Sequence, residues 1–173
     1  RASVFTGAFF LPFFMKYQRL TKEQFEELHQ EFINFLASQS ITGEEWDKIK
    51  KEKPEVAEQE LDVFSDLIWE GVLNKVKFLE HFSPQRMFLF KVEEEVINLI
   101  SIEVENEGID ITSRAGYTWL QNNIMDKSVN LYSSSKALTS DRNADIFALI
   151  LQGASITKGE LFAWFERFVD TSN

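Results

Sequence analysis

Near Asn74 the spacing of apolar residues changes from helical to extended, and that change points to a fold that combines helices with sheet. Before Asn74, apolar side chains recur at helical spacing. From Val76 to Phe82, Met87 to Val92 and Val96 to Val104 they come as short β-branched and aromatic runs. Ser83-Pro84-Gln85 and Glu93-Glu94-Glu95 separate these runs as the turns of a meander. Glu105-Asn106-Glu107-Gly108 is a further turn signal, Ile109-Asp110-Ile111 a short edge strand or lead-in, and Val129 to Ser133 one more strand.

Helix starts are marked with unusual clarity. Leu20-Thr21-Lys22-Glu23-Gln24-Phe25, Ile41-Thr42-Gly43-Glu44-Glu45-Trp46 and Ile156-Thr157-Lys158-Gly159-Glu160-Leu161 share one pattern: apolar, Thr, two spacers, Gln or Glu, apolar. In each, the Thr hydroxyl can accept from the N3 amide, the N3 side chain can return to the cap amide, and the apolar pair can staple the turn. The spacing of the three is irregular, so they are recurrent caps rather than a duplicated unit. The first cap predicts a helix to about Ser38, with Phe25, Leu28, Phe32, Phe35 and Leu36 on one face. A short helix follows Thr42. A central one starts at Pro54, with Ala57, Leu61, Phe64, Ile68 and Val72 as its stripe and Glu55, Glu58, Asp62 and Asp66 as its solvated side. Later helices are expected around Tyr117 and Leu120, from Asn143 to Gln152 with Gly153 as a left-handed cap, and from Lys158 to Val169. The fold class is therefore α+β. N-terminal helices pack on a small, mainly antiparallel sheet closed by C-terminal helices, and residues 15–173 form a single domain.

The first fourteen residues are written differently. They hold five of the 17 Phe and one charge, and three readings stand. Arg1 and the following apolar run resemble a signal-peptide core, but Pro12 interrupts it, no small-residue cleavage site follows, and it is too short to span a membrane. The stretch is otherwise a packed N-terminal segment, or an appendage ahead of a natural start at Met15. We expect the appendage, and with it a cytoplasmic protein; a membrane partner enters only if residues 1–14 are a native targeting segment.

Composition narrows the chemistry. The chain of 173 residues has no Cys, which removes disulfide frameworks and thiolate nucleophiles. Its net charge of −10 repels phosphate backbones, so nucleic acid is not an expected partner. Glu26-Glu27-Leu28-His29 is a Glu-x-x-His, but a carboxylate-bridged di-metal bundle needs two such motifs, and the other histidine, His81, follows Glu80 in a predicted strand. Asp141, Asn143 and Asp145 match the start of a calcium loop, but Ile146 stands where Gly is required and Gln152 where Glu must close the shell. Helix capping accounts for these acids. Ser133-Ser134-Ser135-Lys136 has the Ser-x-x-Lys spacing of penicillin-recognising enzymes without their partner motifs, and a polar loop after a strand is expected. Glu103 and Glu105, roughly 7 Å apart on one strand face, suit an inverting glycosidase pair only by a spacing common on exposed strands. No catalytic residue, metal site or cofactor is assigned.

What remains is the last helix. Leu161, Trp164, Phe165 and Phe168 form its expected core face, while Phe162 and Val169 widen it sideways. That width fits a broad core contact or a partner surface, so Phe162, Phe165, Phe168 and Val169 are the candidate interface, in a homodimer or with another protein.

Met15-Lys16-Tyr17-Gln18-Arg19-Leu20-Thr21, the stretch from Ile41-Thr42-Gly43-Glu44-Glu45-Trp46 through Pro54 to Asp66, and Gln152-Gly153-Ala154-Ser155-Ile156-Thr157-Lys158-Gly159 carry a resemblance. Over about Met15 to Asp170 the chain resembles a family of short acidic bacterial proteins classed as a domain of unknown function. The resemblance brings no activity, ligand or site residue. The expectation is a soluble, non-catalytic interaction or regulatory protein. The alternative is a small enzyme or ligand-binding domain with its site between sheet and helices.

Overall fold

A computed structural model describes residues 14–169. Only Phe14 of the N-terminal stretch falls among them, so the three readings of that stretch lie outside the described residues. The chain divides into two compact units, Arg1–Val72 and Leu73–Asn173.

The first unit is helical: α1 (Lys22–Glu27), α2 (His29–Ser38), α3 (Gly43–Glu52) and α4 (Pro54–Leu73), whose last residue begins the second unit. Both expected capping boxes are present. Thr21 and Thr42 accept from the amides of Gln24 and Glu45, whose side chains accept from the cap amides in return. The helix expected to run unbroken to Ser38 divides at Leu28, where ψ rises to 23° while the helical hydrogen bonds on either side persist. Phe25, Phe32, Phe35 and Phe64 meet with ring centroids 5.1 to 6.2 Å apart, and Trp46 joins Phe32 edge-on at 5.4 Å. Such pairings add to the area term from burial.

The acidic side of α4 is not simply solvated. Residues 16–20 run along it: the Lys16 and Tyr17 amides donate to Asp66, the Leu20 amide to the Ser65 hydroxyl, and the Arg19 guanidinium to Asp62 at 2.6 Å and to Glu58. Trp69 Nε1 donates to the Gln18 carbonyl at 3.0 Å. Helical spacing identifies a charged face but not the segment that binds it.

The second unit is built on a five-stranded antiparallel sheet in the order β4-β3-β2-β1-β5. The strands are β1 (Phe78–Ser83), β2 (Arg86–Val92), β3 (Val96–Val104), β4 (Val129–Ala137) and β5 (Ser155–Thr157). The expected meander is β1 to β3. The helices are α5 (Arg114–Asn122), α6 (Arg142–Leu151) and α7 (Glu160–Val169). Met87, Leu89, Ile100, Ile102 and Val104 share one sheet face by register, and they bury against Leu120 of α5 and Phe162, Phe165 and Val169 of α7. The α+β class holds, with seven helices among the described residues.

Two local expectations are corrected, and one open alternative is decided. Thr157 does not cap the last helix: Ser155–Thr157 pairs with β1 as β5, and Gly159, at φ +84°, turns the chain into α7. A Cβ there would lie 2.4 Å from the Phe78 ring, so glycine is required by packing as well as by backbone. Ile109 to Ile111 forms no strand; it is the lead-in, fixed by the Ile111 amide donating to the Pro84 carbonyl at 2.8 Å. β4 continues past Ser133 to Ala137, so Ser133 to Lys136 is strand rather than loop.

Candidate functional site

A hollow of about 940 Å³ opens in the helical unit. Its floor comes from the helical stripe: Phe25 of α1, Phe32 and Leu36 of α2, Trp46 of α3 and Leu61 of α4. These helices are too short for their aromatic stripes to close over one another, and Phe25, Phe32 and Trp46 stay half-buried. Ile33, 43% exposed, stands on the rim. Charges of both signs surround it. Asp47 pairs with Lys50 at 2.8 Å, and the Lys50 ammonium lies 5.9 Å from the Trp46 ring. Arg19, with its pKa raised above the ordinary arginine value chiefly by the Asp62 hydrogen bond, is fixed by α4. Glu26 and His29, the Glu-x-x-His pair, complete the edge on the α1 and α2 side.

Two recesses in the second unit lie between sheet and helices. One, about 540 Å³, is lined by Phe82, Ile111, Thr112, Ser113, Arg114, Tyr117 and Leu161. Burial, together with the charge of Glu80, pushes the Tyr117 phenol up, against a hydrogen bond from Gln121 that lowers it. Glu80 itself is pushed up, first by burial and then by Glu160. The hydroxyls of this cleft are committed to local structure. Ser113 accepts from the Gly116 amide and donates to the Asp110 carbonyl, and Thr112 donates to the Asp110 carboxylate. The other recess, about 360 Å³, lies beside Lys91, Asn98, Ser135 and Glu166, with Ser135 donating to Asn98 at 2.8 Å.

The chain matches a family of unknown function, DUF6495, over residues 15–170. It belongs to that family. No curated protein and no solved structure matches this DUF6495 chain.

The sequence-derived candidates fall in different places. On α7, Phe162, Phe165 and Val169 are buried against the sheet, whereas Leu161, Trp164 and Phe168 are half-buried. The fully buried line is thus i, i+3, i+7 from Phe162, because α7 lays that line on β2, β3 and β4. The residues expected at the sideways edge are the ones the core takes. Of the four candidate interface residues only Phe168 reaches the surface in part, with its ring centroid 4.9 Å from that of Trp164. Asp141 caps α6 through the Ala144 amide, Asp145 accepts from Thr139, and Asn143 donates to Asn74 at 2.6 Å. Glu103 pairs with Arg86 at 3.0 Å, and Glu105 accepts from Asn130 at 2.8 Å. Ser133 and Lys136 have opposite parity on β4 and so lie on opposite sheet faces, which separates the Ser-x-x-Lys pair. His81 sits on β1, where its Nε2 lies 3.1 Å from the position a Gly153 Cβ would take. Among the described residues no group of three or more His, Asp or Glu is placed to hold a metal ion, and no helix is long and apolar enough to cross a membrane.

Proposed function

We propose that the protein is a non-catalytic interaction protein, and that the groove of its helical unit receives the apolar face of an amphipathic helix from a protein partner. The observation that carries this reading is the aromatic floor: Phe25, Phe32 and Trp46 remain half-buried around a hollow of about 940 Å³. Leaving aromatic area in water is unfavourable, roughly 25 cal/mol per Å², and aromatic anchors in an open groove are what a docking helix uses. The mixed rim, with Arg19, Lys22 and Lys50 beside Glu26 and Asp47, suits the charged flanks of such a helix.

The groove is tested with 1-anilinonaphthalene-8-sulfonate on the native chain. The expected result is saturable dye fluorescence, lost in Ile33→Glu. Absence of binding, or binding unchanged in Ile33→Glu, contradicts the reading. The alternative, a small-ligand site between sheet and helices, has the Tyr117 cleft in its favour. It requires Tyr117→Ala to abolish dye binding and Ile33→Glu to leave it intact.

A further inference from the structure

The two edges of the sheet are unequal. β5 is three residues long, a short edge that offers little to a partner. β4 is nine residues long, pairs with β3 without interruption from Val104↔Val129 to Val96↔Ala137, and contains no Pro and a single charge, Lys136. From Tyr132 to Ala137 every residue is exposed. Natural edge strands are blunted by bulges, prolines or several charges, and β4 has none of these.

The phase of its hydrogen bonds fixes which groups are open. The Leu138 amide donates to the Glu95 carbonyl and the Glu105 amide to the Ser128 carbonyl, so even-numbered β4 residues direct their backbone groups at β3. In an antiparallel ladder the intervening residues point the other way. Leu131, Ser133, Ser135 and Ala137 therefore direct N–H and C=O outward, where no strand among the described residues pairs with them.

We infer that a second copy of this chain pairs there, β4 against β4, antiparallel about a twofold axis at Ser133. This register places outward-facing residues opposite one another, as the ladder requires: Ser133 with Ser133 and Leu131 with Ser135 of the second copy, while at the strand's start the Val129 amide already donates to the Asp126 carbonyl at 2.9 Å and leaves only its carbonyl for Ala137 of the second copy. It is also complementary in charge and shape. Lys136, which makes no hydrogen bond or ion pair among the described residues, comes opposite Asn130 of the second copy, whose amide already holds Glu105. Tyr132, 57% exposed, becomes the diagonal neighbour of its symmetry mate, within reach for aromatic rings. No like charges face each other.

Sedimentation equilibrium of the full chain is expected to give twice the chain mass of 20.2 kDa. Ser133→Pro removes an outward amide and no bond to β3, and is expected to give a monomer with unchanged circular dichroism. A cysteine-free chain allows a second arm. In Ser133→Cys the symmetry-related Cα atoms would lie about 5.5 Å apart, within disulfide range. Oxidation should then yield a covalent dimer, which Ser155→Cys on β5 should not. A wild type that is monomeric at about 100 µM overturns the inference. So does a dimer that survives Ser133→Pro and fails to cross-link in the Ser133→Cys variant.

Discussion

Gly116 has the least room for a side chain among the glycines of the second unit. A Cβ at that position would lie 1.7 Å from the Asp110 carbonyl oxygen, because residues 109–113 cross directly over the start of α5. Backbone, not a flexible side chain, would have to move. Gly116→Ala is expected to cost more than about 3 kcal/mol in urea unfolding, at the upper end for one substitution; a cost under about 1 kcal/mol would show that the crossing loop can lift. Glu80 makes a subtler case. Its folded-state pKa is raised above the ordinary 4.5, so the folded chain holds that proton more tightly than the unfolded chain does. Its contribution to stability is most favourable below the unfolded value and is lost as pH rises through the raised one. Glu80→Gln is therefore expected to raise Tm at pH 7, with the gain vanishing near pH 4. A lower Tm at pH 7 would mean that the carboxylate is stabilised there. Neither residue stood out in the sequence, since a glycine in a helix and an acid in a strand carry no sign of what crosses or faces them.

Element by element, more was legible. Pro54, the Thr21 and Thr42 boxes, the Asp141 cap and Gly153 at φ +109° all act where local chemistry places them, because caps depend on residues within four positions. Thr42→Ala is expected to cost about 1 kcal/mol, measured by urea unfolding followed by circular dichroism; no change would mean that the α3 end is held by packing alone. Thr157 carries the same local spelling and is used differently. β1 offers an open edge, and the long-range pairing of Ile156 with Leu79 wins over the cap. On α7 the apolar arc is so wide that periodicity cannot rank its positions, and the sheet chooses Phe162, Phe165 and Val169. The path of residues 16–20 along α4 was not legible for a related reason: its partners are some forty to fifty positions away.

For the whole molecule, each unit has its own kind of core. The helical unit gathers Phe rings, and the sheet unit packs aliphatic strand faces under α5 and α7. The first leaves its rings partly open. A stripe of Phe25, Phe32 and Trp46 reads as core from spacing alone, since period reports which way side chains face and not whether short helices can close over them. We propose this opening as the recognition site. Ile33→Glu tests it most directly: the position is exposed, so a charge there blocks the groove without entering the packed interior. Wild-type and Ile33→Glu chains are used side by side as baits in their native cells, and captured proteins are quantified by mass spectrometry. The expected result is a protein held by the wild type and depleted about tenfold, on the order of 1.4 kcal/mol, with Ile33→Glu. Equal recovery by both baits would contradict it.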